Sequence, residues 1–246
     1  ERFYHPDQAD SLAEIAETGG DAFYRGRIAE KIVEHSRKSG GCLRSEDLAA
    51  HRPEWVAPIF VSYRTVRVWE LPPNGQGLAA LIALGILRHL RISETAMDSA
   101  DSVHLQVEAM KIAFSEVHRH VADPAFMEFD PGSLLKDAYL ASRATEIRME
   151  HAGSPKPISS PEKGTVYLAA ADRSGMMVSF IQSNYRGFGS GIVIPGTGIS
   201  LHNRGCGFCL EPGHPNRVGP AKRPYHTIIP SFITLDGRPK MSFGVM

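Results

Sequence analysis

Cysteine, net charge and long apolar runs are all scarce in this chain of 246 residues. The three cysteines disfavour a disulfide framework because their number is odd. Lysine plus arginine and aspartate plus glutamate both number 27, so no strong field favours nucleic acid or an anionic membrane. The longest apolar run, near residues 78–86, is too short to span a bilayer. We therefore expect a globular protein with no nucleic-acid partner and no membrane segment.

No cofactor and no metal site are expected from the sequence. Cys206-Gly-Phe-Cys209 has the spacing of a redox or half-zinc motif, but no second pair completes four ligands. His118 and His120 are two residues apart on a predicted helix and do not share a face. The glycines between residues 187 and 198 lack the Lys-Ser/Thr ending of a phosphate-binding loop, so we expect them to serve turns and close packing.

Helical periodicity dominates residues 1–150. Ser45 is the candidate N-cap of a short helix, and two short strands rich in β-branched residues follow at 59–63 and 65–71. The chain begins at Glu1 and ends at Met246 within a predicted strand, so we expect a fragment, with periplasmic, secreted and cytoplasmic locations all open. The predicted longer helices cover 7–18, 21–38, 76–90, 101–121 and 134–149.

The amino-acid composition and the secondary-structure pattern change in the second part of the chain. Residues 151–164 are rich in proline, serine and glycine and are predicted to be a spacer. From residue 165 onward the pattern is β, with hairpins formed by 165–171 and 176–183 and by 228–235 and 241–245. Helices first and strands later are typical of an α+β protein.

Gly164-Thr165, where the spacer meets the first of these strands, allows two interpretations. Threonine commonly starts a strand because β-branched residues favour extended backbone. Alternatively, cleavage before Thr165 would create an N-terminal residue whose α-amino group acts as the base for its own hydroxyl. Gly164 would tolerate the strained backbone that such a cleavage requires. The local pattern alone favours the structural interpretation.

Sequence motifs along the whole chain favour the catalytic interpretation of Thr165 instead. They are Leu-Pro-Pro-Asn-Gly-Gln-Gly at 71–77, the glycine-rich run at 188–198, Leu-His-Asn at 201–203, Pro-Gly-His-Pro-Asn at 212–216 and Gly-Pro-Ala-Lys-Arg-Pro at 219–224. With these motifs the chain resembles the gamma-glutamyltransferase (gamma-glutamyltranspeptidase) family of N-terminal nucleophile hydrolases, in a divergent branch close to cephalosporin and glutaryl acylases.

The resemblance implies a four-layer αββα fold, incomplete at both ends. It implies one precursor that cleaves itself at Gly164-Thr165, with residues 1–150 resembling the large subunit and 165–246 the small subunit. Thr165 would be the catalytic nucleophile, and Ser183 its hydrogen-bonding partner. The oxyanion hole would come from a glycine pair expected after Met246. The substrate would be a small-molecule amide or a γ-glutamyl compound such as glutathione.

The substrate-binding positions depart from the family pattern. Tyr185 replaces an asparagine, Arg204 a glutamate or glutamine, Gly207 an acidic residue, and His226-Thr227 a pair of serines. An α-ammonium needs an acidic partner because an unpaired buried charge is costly, whereas Arg204 suits a carboxylate. A glutaryl-type acylase is therefore the alternative to a γ-glutamyl enzyme.

Purely structural interpretations of these residues are also open. Arg204 would then be a surface or structural arginine, His226 would pack in a turn, and Tyr185 would be a core or rim aromatic residue. A non-catalytic relative that binds small molecules would fit the same substitutions.

Overall fold

The computed structural model describes residues 2–153 and 164–245. Most of the predicted spacer, 151–164, therefore lies outside the described residues. The helices are α1 (Pro6–Glu17), α2 (Asp21–Tyr24), α3 (Arg27–Lys38), α4 (Ser45–Ala50), α5 (Gly77–Leu87), α6 (Ala100–His120) and α7 (Asp137–Ala144).

The strands form two antiparallel arrangements. The four-stranded sheet has the order β1-β2-β5-β6, and β3 pairs with β4 in a separate hairpin. In the larger sheet β2 pairs with β5, which is far away in sequence, so that Val68 lies opposite Ile233. The chain is thus a mixed α+β protein, as predicted. The strands are β1 (Ile59–Tyr63), β2 (Val66–Glu70), β3 (Gly164–Ala171), β4 (Met177–Tyr185), β5 (Ile229–Leu235) and β6 (Arg238–Val245).

Two compact units contain the described residues. Unit 1 consists of residues 2–55 and 184–203 together with Gly164, and unit 2 consists of 56–153, 165–183 and 204–245. The predicted large-subunit-like and small-subunit-like regions divide the chain differently from these two units, because they are defined by the predicted cleavage site. They stay a prediction. No helix in the described ranges is both long enough and apolar enough to cross a membrane.

The core of unit 2 is built around α5. This helix is apolar on all sides, and Leu78, Ile82 and Ile86 are fully buried between the sheet, α6 and α7. A Cβ atom on Gly85 would lie 2.5 Å from a methyl carbon of Leu140 in α7. Glycine at this position therefore allows the close contact of α5 with α7.

Unit 1 has a smaller core of its own. Ile28 and Ile32 of α3 are buried against Ile194, which lies in the glycine-rich run. Ser11 of α1 donates a hydrogen bond to the Thr197 carbonyl at 2.8 Å. The glycine-rich run thus contributes to packing and turns, as predicted.

Two predicted helices differ in extent from the observed ones. The single helix predicted over 21–38 is divided into α2 and α3, because Gly26 between them has an extended backbone with φ −105° and ψ −156°. A Cβ at Gly26 would also lie 2.9 Å from the Ala22 Cα. The helix predicted over 134–149 is reduced to α7, and Pro131–Leu135 forms a 3-10 helix instead.

The predicted N-cap of α4 is wrong by one residue. Ser45 is the first helical residue, and Arg44 occupies the N-cap position. The Arg44 N–H is satisfied by Asp47, whose Oδ2 accepts it at 2.8 Å. The Asp47 carboxylate in the first turn therefore satisfies the N–H of the N-cap residue, and Ser45 lies inside the helix.

Glu70 is a buried carboxyl group on the side of β2 that faces α5. Its Oε1 accepts a hydrogen bond from Ser231 of β5 at 2.5 Å, and its Oε2 has no hydrogen-bonding partner within the described residues. A Cβ on Gly77 would lie 2.7 Å from Oε2, so glycine at the start of α5 makes room for the carboxyl. Burial raises the pKa of Glu70 to about 8, although the Ser231 hydrogen bond opposes the shift.

Replacing Glu70 with glutamine is expected to flatten the dependence of stability on pH. The pKa of Glu70 rises from its ordinary value of 4.5 to about 8 on folding. At pH values between these two, the folded state therefore binds a proton that the unfolded state has lost. Stability therefore falls as pH rises through this window, with a slope of at most about 1.4 kcal/mol per pH unit. Glutamine keeps an acceptor for Ser231 but does not ionise. Thermal unfolding of the full-length protein across the window measures the slope.

The matched control is Glu128→Gln, which makes the same change on the surface. We expect this variant to retain the wild-type slope. An equally steep slope in Glu70→Gln would show that Glu70 does not carry the proton.

Candidate active site

Thr165 and Ser183 lie opposite each other in the β3–β4 hairpin. Thr165 Oγ1 donates a hydrogen bond to Ser183 Oγ at 2.9 Å, and both residues are half-buried. Side chains alternate between the two faces of a strand, so Thr165 shares one face of β3 with Tyr167. The structure thus brings together the two residues that the sequence interpretation pairs, with the threonine hydroxyl directly after Gly164.

The hairpin is anchored to β6 close to Thr165. Tyr167 Oη and Ser179 Oγ are 3.1 Å apart, and Ser179 donates to the Phe243 carbonyl at 3.0 Å. A Cβ on Gly244 would lie 2.5 Å from two ring carbons of Tyr167. The tyrosine ring therefore packs directly on the β6 backbone, which holds the strand that carries Thr165.

Arg204 is buried and contacts Thr227. Only 4% of its surface is exposed, which excludes the interpretation as a surface arginine. Its Nη1 donates to Thr227 Oγ1 at 2.9 Å, so two predicted substrate-binding residues form one cluster in unit 2. A buried guanidinium attracts carboxylate groups because it presents several N–H donors in a planar fork.

His226 belongs to the same segment as Thr227. Its backbone N–H donates to the Asn74 carbonyl at 2.9 Å, and a β-bridge joins His226 to Gly75. The Pro-Pro-Asn-Gly turn after β2 therefore holds the segment in an extended conformation.

Gly207 closes one side of the Arg204 cluster. It ends the short 3-10 helix Arg204–Gly207, and a Cβ here would lie 2.8 Å from the Tyr225 carbonyl. An aspartate or any other larger residue requires the backbone to move. The site therefore has no room for an acidic side chain at the position where the family pattern has one.

Tyr185 is placed differently from the other predicted residues. It ends β4 and belongs to unit 1, whereas Arg204, His226 and Thr227 belong to unit 2. It has a left-handed backbone with φ +78°, which is uncommon for an aromatic residue. The Arg186 guanidinium lies over its ring, 5.2 Å from the centroid.

Sequence interpretation did not select three buried polar residues near Arg204, namely Gln76, Asn216 and Tyr225. Gln76 and Asn216 occur in two of the motifs that carry the family resemblance, and these motifs are the sequence signal that could have identified them. Their roles depend on contacts between segments that are far apart in sequence.

The described residues contain no group of three or more His, Cys, Asp and Glu side chains suited to a metal ion. Cys206 and Cys209 are free thiols.

A threonine at the start of a hairpin strand, hydrogen-bonded to a serine on the partner strand, matches what the resemblance to N-terminal nucleophile hydrolases implies. The chain belongs to the Gamma-glutamyltranspeptidase family, whose pattern it matches over residues 1–246. It is 39% identical to the glutathione hydrolase-like YwrD proenzyme of Bacillus subtilis, covering 99% of this chain and 46% of that protein. It is 37% identical to the oxamate amidohydrolase proenzyme of Klebsiella pneumoniae, again covering 46% of that protein.

Solved structures agree with this assignment. A cephalosporin acylase from Bacillus halodurans superposes with a TM-score of 0.90 and 51% identity, over 98% of this chain and 44% of that chain. The chain thus spans about half the length of the relatives it matches. Its fold is the corresponding part of the family fold.

Replacing Gly207 with alanine is expected to destabilise the protein, since the new Cβ would meet the Tyr225 carbonyl at 2.8 Å. The expected loss in the free energy of unfolding is about 1–3 kcal/mol. Thermal or urea unfolding of the full-length protein measures it. Gly205→Ala in the same 3-10 helix is the control, because a Cβ there meets nothing within 4 Å. Equal stability of the two variants would contradict the close contact.

Proposed function

We propose that the protein is an amide hydrolase or acyltransferase whose nucleophile is Thr165, released by self-cleavage at Gly164-Thr165. The observation that carries this proposal is the 2.9 Å hydrogen bond from Thr165 Oγ1 to Ser183 Oγ. Family membership over the whole chain supports it, since the relatives include proenzymes named as hydrolases and amidohydrolases. The four-layer αββα fold of the complete protein belongs to the same proposal.

Self-cleavage begins when Thr165 Oγ attacks the Gly164 carbonyl carbon. The C–N bond breaks, the threonine nitrogen takes the proton, and Gly164 is held as an ester. Water then hydrolyses the ester, which leaves a Gly164 carboxylate and a free Thr165 α-amine. Ser183 accepts the hydrogen bond of the threonine hydroxyl and so orients it for attack.

In the mature enzyme the α-amine acts as the general base. A peptide α-amine ordinarily has a pKa of about 8, so roughly a tenth of it is neutral at pH 7 and about half at pH 8. It takes the hydroxyl proton as Thr165 attacks the substrate amide, and it returns that proton to the leaving amine. Water or a second amine then resolves the acyl-enzyme ester.

The acyl group is proposed to carry a carboxylate and no α-ammonium. Arg204, with Thr227 beside it, supplies a buried cation for the carboxylate. Gly207 leaves no space for the acid that would hold an ammonium. His226, in the same segment as Thr227, belongs to this proposed set, and Tyr185 of unit 1 stays a separate proposed substrate-binding residue. A glutaryl-type or oxamate-like acyl group fits this set better than a γ-glutamyl group such as that of glutathione.

Mass spectrometry of the full-length protein tests the nucleophile. We expect two chains divided after Gly164 in the wild type and in Thr165→Ser, and one intact chain in Thr165→Ala. Thr145→Ala, which removes a hydroxyl from an exposed residue, should be cleaved normally. An intact wild-type chain that turns over no amide would instead support a non-catalytic binding protein.

A second assay compares glutaryl and γ-glutamyl anilides on the mature full-length enzyme. We expect kcat/KM for the glutaryl compound to be at least about tenfold higher, because an unpaired buried ammonium is costly. Arg204→Gln should remove most of this preference, and Arg173→Gln, in an exposed turn, should not. A preference for the γ-glutamyl compound would contradict the assignment of Arg204.

A further inference from the structure

Two buried side-chain amides flank the Arg204–Thr227 pair, and in each of them both the oxygen and the nitrogen form a hydrogen bond. Gln76 Oε1 accepts from the Tyr225 hydroxyl at 2.7 Å, and Gln76 Nε2 donates to the Thr227 carbonyl at 2.8 Å. Asn216 Oδ1 accepts from the Tyr225 N–H at 2.9 Å, and Asn216 Nδ2 donates to the Gly207 carbonyl at 2.7 Å. Both residues are more than nine-tenths buried.

The two amides hold the two backbone segments that carry the cluster. Asn216 holds the end of the 3-10 helix that begins at Arg204, and Gln76 holds the strand-like segment that carries Thr227. Asn216 is itself fixed by its backbone N–H, which donates to His214 Nδ1 at 2.9 Å. Besides the direct Arg204–Thr227 hydrogen bond, the separation of these two residues is therefore also set by hydrogen bonds to the backbone segments that carry them.

The donor ends of the amides are chemically specific. A carboxylate in place of either amide would keep the acceptor for Tyr225 but would place an oxygen against a backbone carbonyl. A buried carbonyl that loses its donor costs free energy, and two facing oxygen atoms repel each other. Glutamine and asparagine are thus required here for the N–H groups that they direct at Thr227 and Gly207.

We propose that Gln76 and Asn216 are positioning residues that determine acyl-group selectivity by fixing the geometry of Arg204 and Thr227. This inference rests on the proposed function, because it takes that pair as the binding site for the carboxylate of the acyl group. The hydrogen bonds of the two amides run to Tyr225, Thr227 and Gly207, so the proposal assigns them no part in the self-cleavage step.

The test uses the isosteric variants Gln76→Glu and Asn216→Asp in the full-length protein. With the glutaryl anilide, KM is expected to rise about tenfold in each variant while kcat stays within about threefold. Cleavage after Gly164 should proceed as in the wild type. The control Gln106→Glu makes the same chemical change on an exposed face of α6 and should leave KM unchanged.

Calorimetric titration with glutarate gives the same comparison without turnover. We expect both variants to bind glutarate about tenfold more weakly than the control variant. If the wild type binds glutarate but neither cleaves itself nor hydrolyses amides, the proposed function fails while the positioning role is still measured by these affinities. Wild-type protein with no affinity for glutarate overturns the inference.

Three further results would overturn the positioning role. The first is KM and glutarate affinity within twofold of the control in both variants. The second is a loss of kcat with KM unchanged, which would place the amides in the chemical step. The third is a combined result, in which both variants fail to fold and Tyr225→Phe has the wild-type KM. This last variant removes only the hydroxyl that donates a hydrogen bond to Gln76.

Discussion

The pairing of β2 with β5 is the constraint on which the rest of unit 2 depends. The two strands are more than 150 residues apart in the chain, and their register is fixed by Val68 opposite Ile233. This register places Glu70 beside Ser231 and brings the Pro-Pro-Asn-Gly turn against the segment before β5. The contacts of Gln76 with Thr227 and of Asn74 with Pro224 then follow from the same alignment.

The proposed site combines two chemically different parts. Thr165 and Ser183 are neutral hydroxyl groups at the end of a hairpin, held on β6 through Tyr167. Arg204 is a buried cation surrounded by a hydrogen-bonded polar network. Buried polar groups stabilise one conformation only when their partners are in place, so the network makes the cluster rigid rather than adaptable. A rigid cation selects its ligand by charge and geometry, which is consistent with an acyl group that ends in a carboxylate.

Much of the fold was predictable because its signals are local. The apolar surface of α5 and the alternation in β4 depend on neighbouring residues, and both elements form where periodicity places them. The division between α2 and α3 was missed because Gly26 has an extended backbone there, while helical periodicity continues across it. The N-cap of α4 was placed one residue too late, since Arg44 occupies that position and its N–H is bound by Asp47.

The sequence by itself determined the α+β class, the family and the identity of the residues available for chemistry, since these follow from composition, periodicity and motifs. Only the tertiary structure decided that Arg204 is buried against Thr227, that Gly207 leaves no space for an acid, and that Gln76 and Asn216 hold both segments in place. The physical reason is that burial and hydrogen bonding between distant segments depend on strand register and packing, which no local pattern contains.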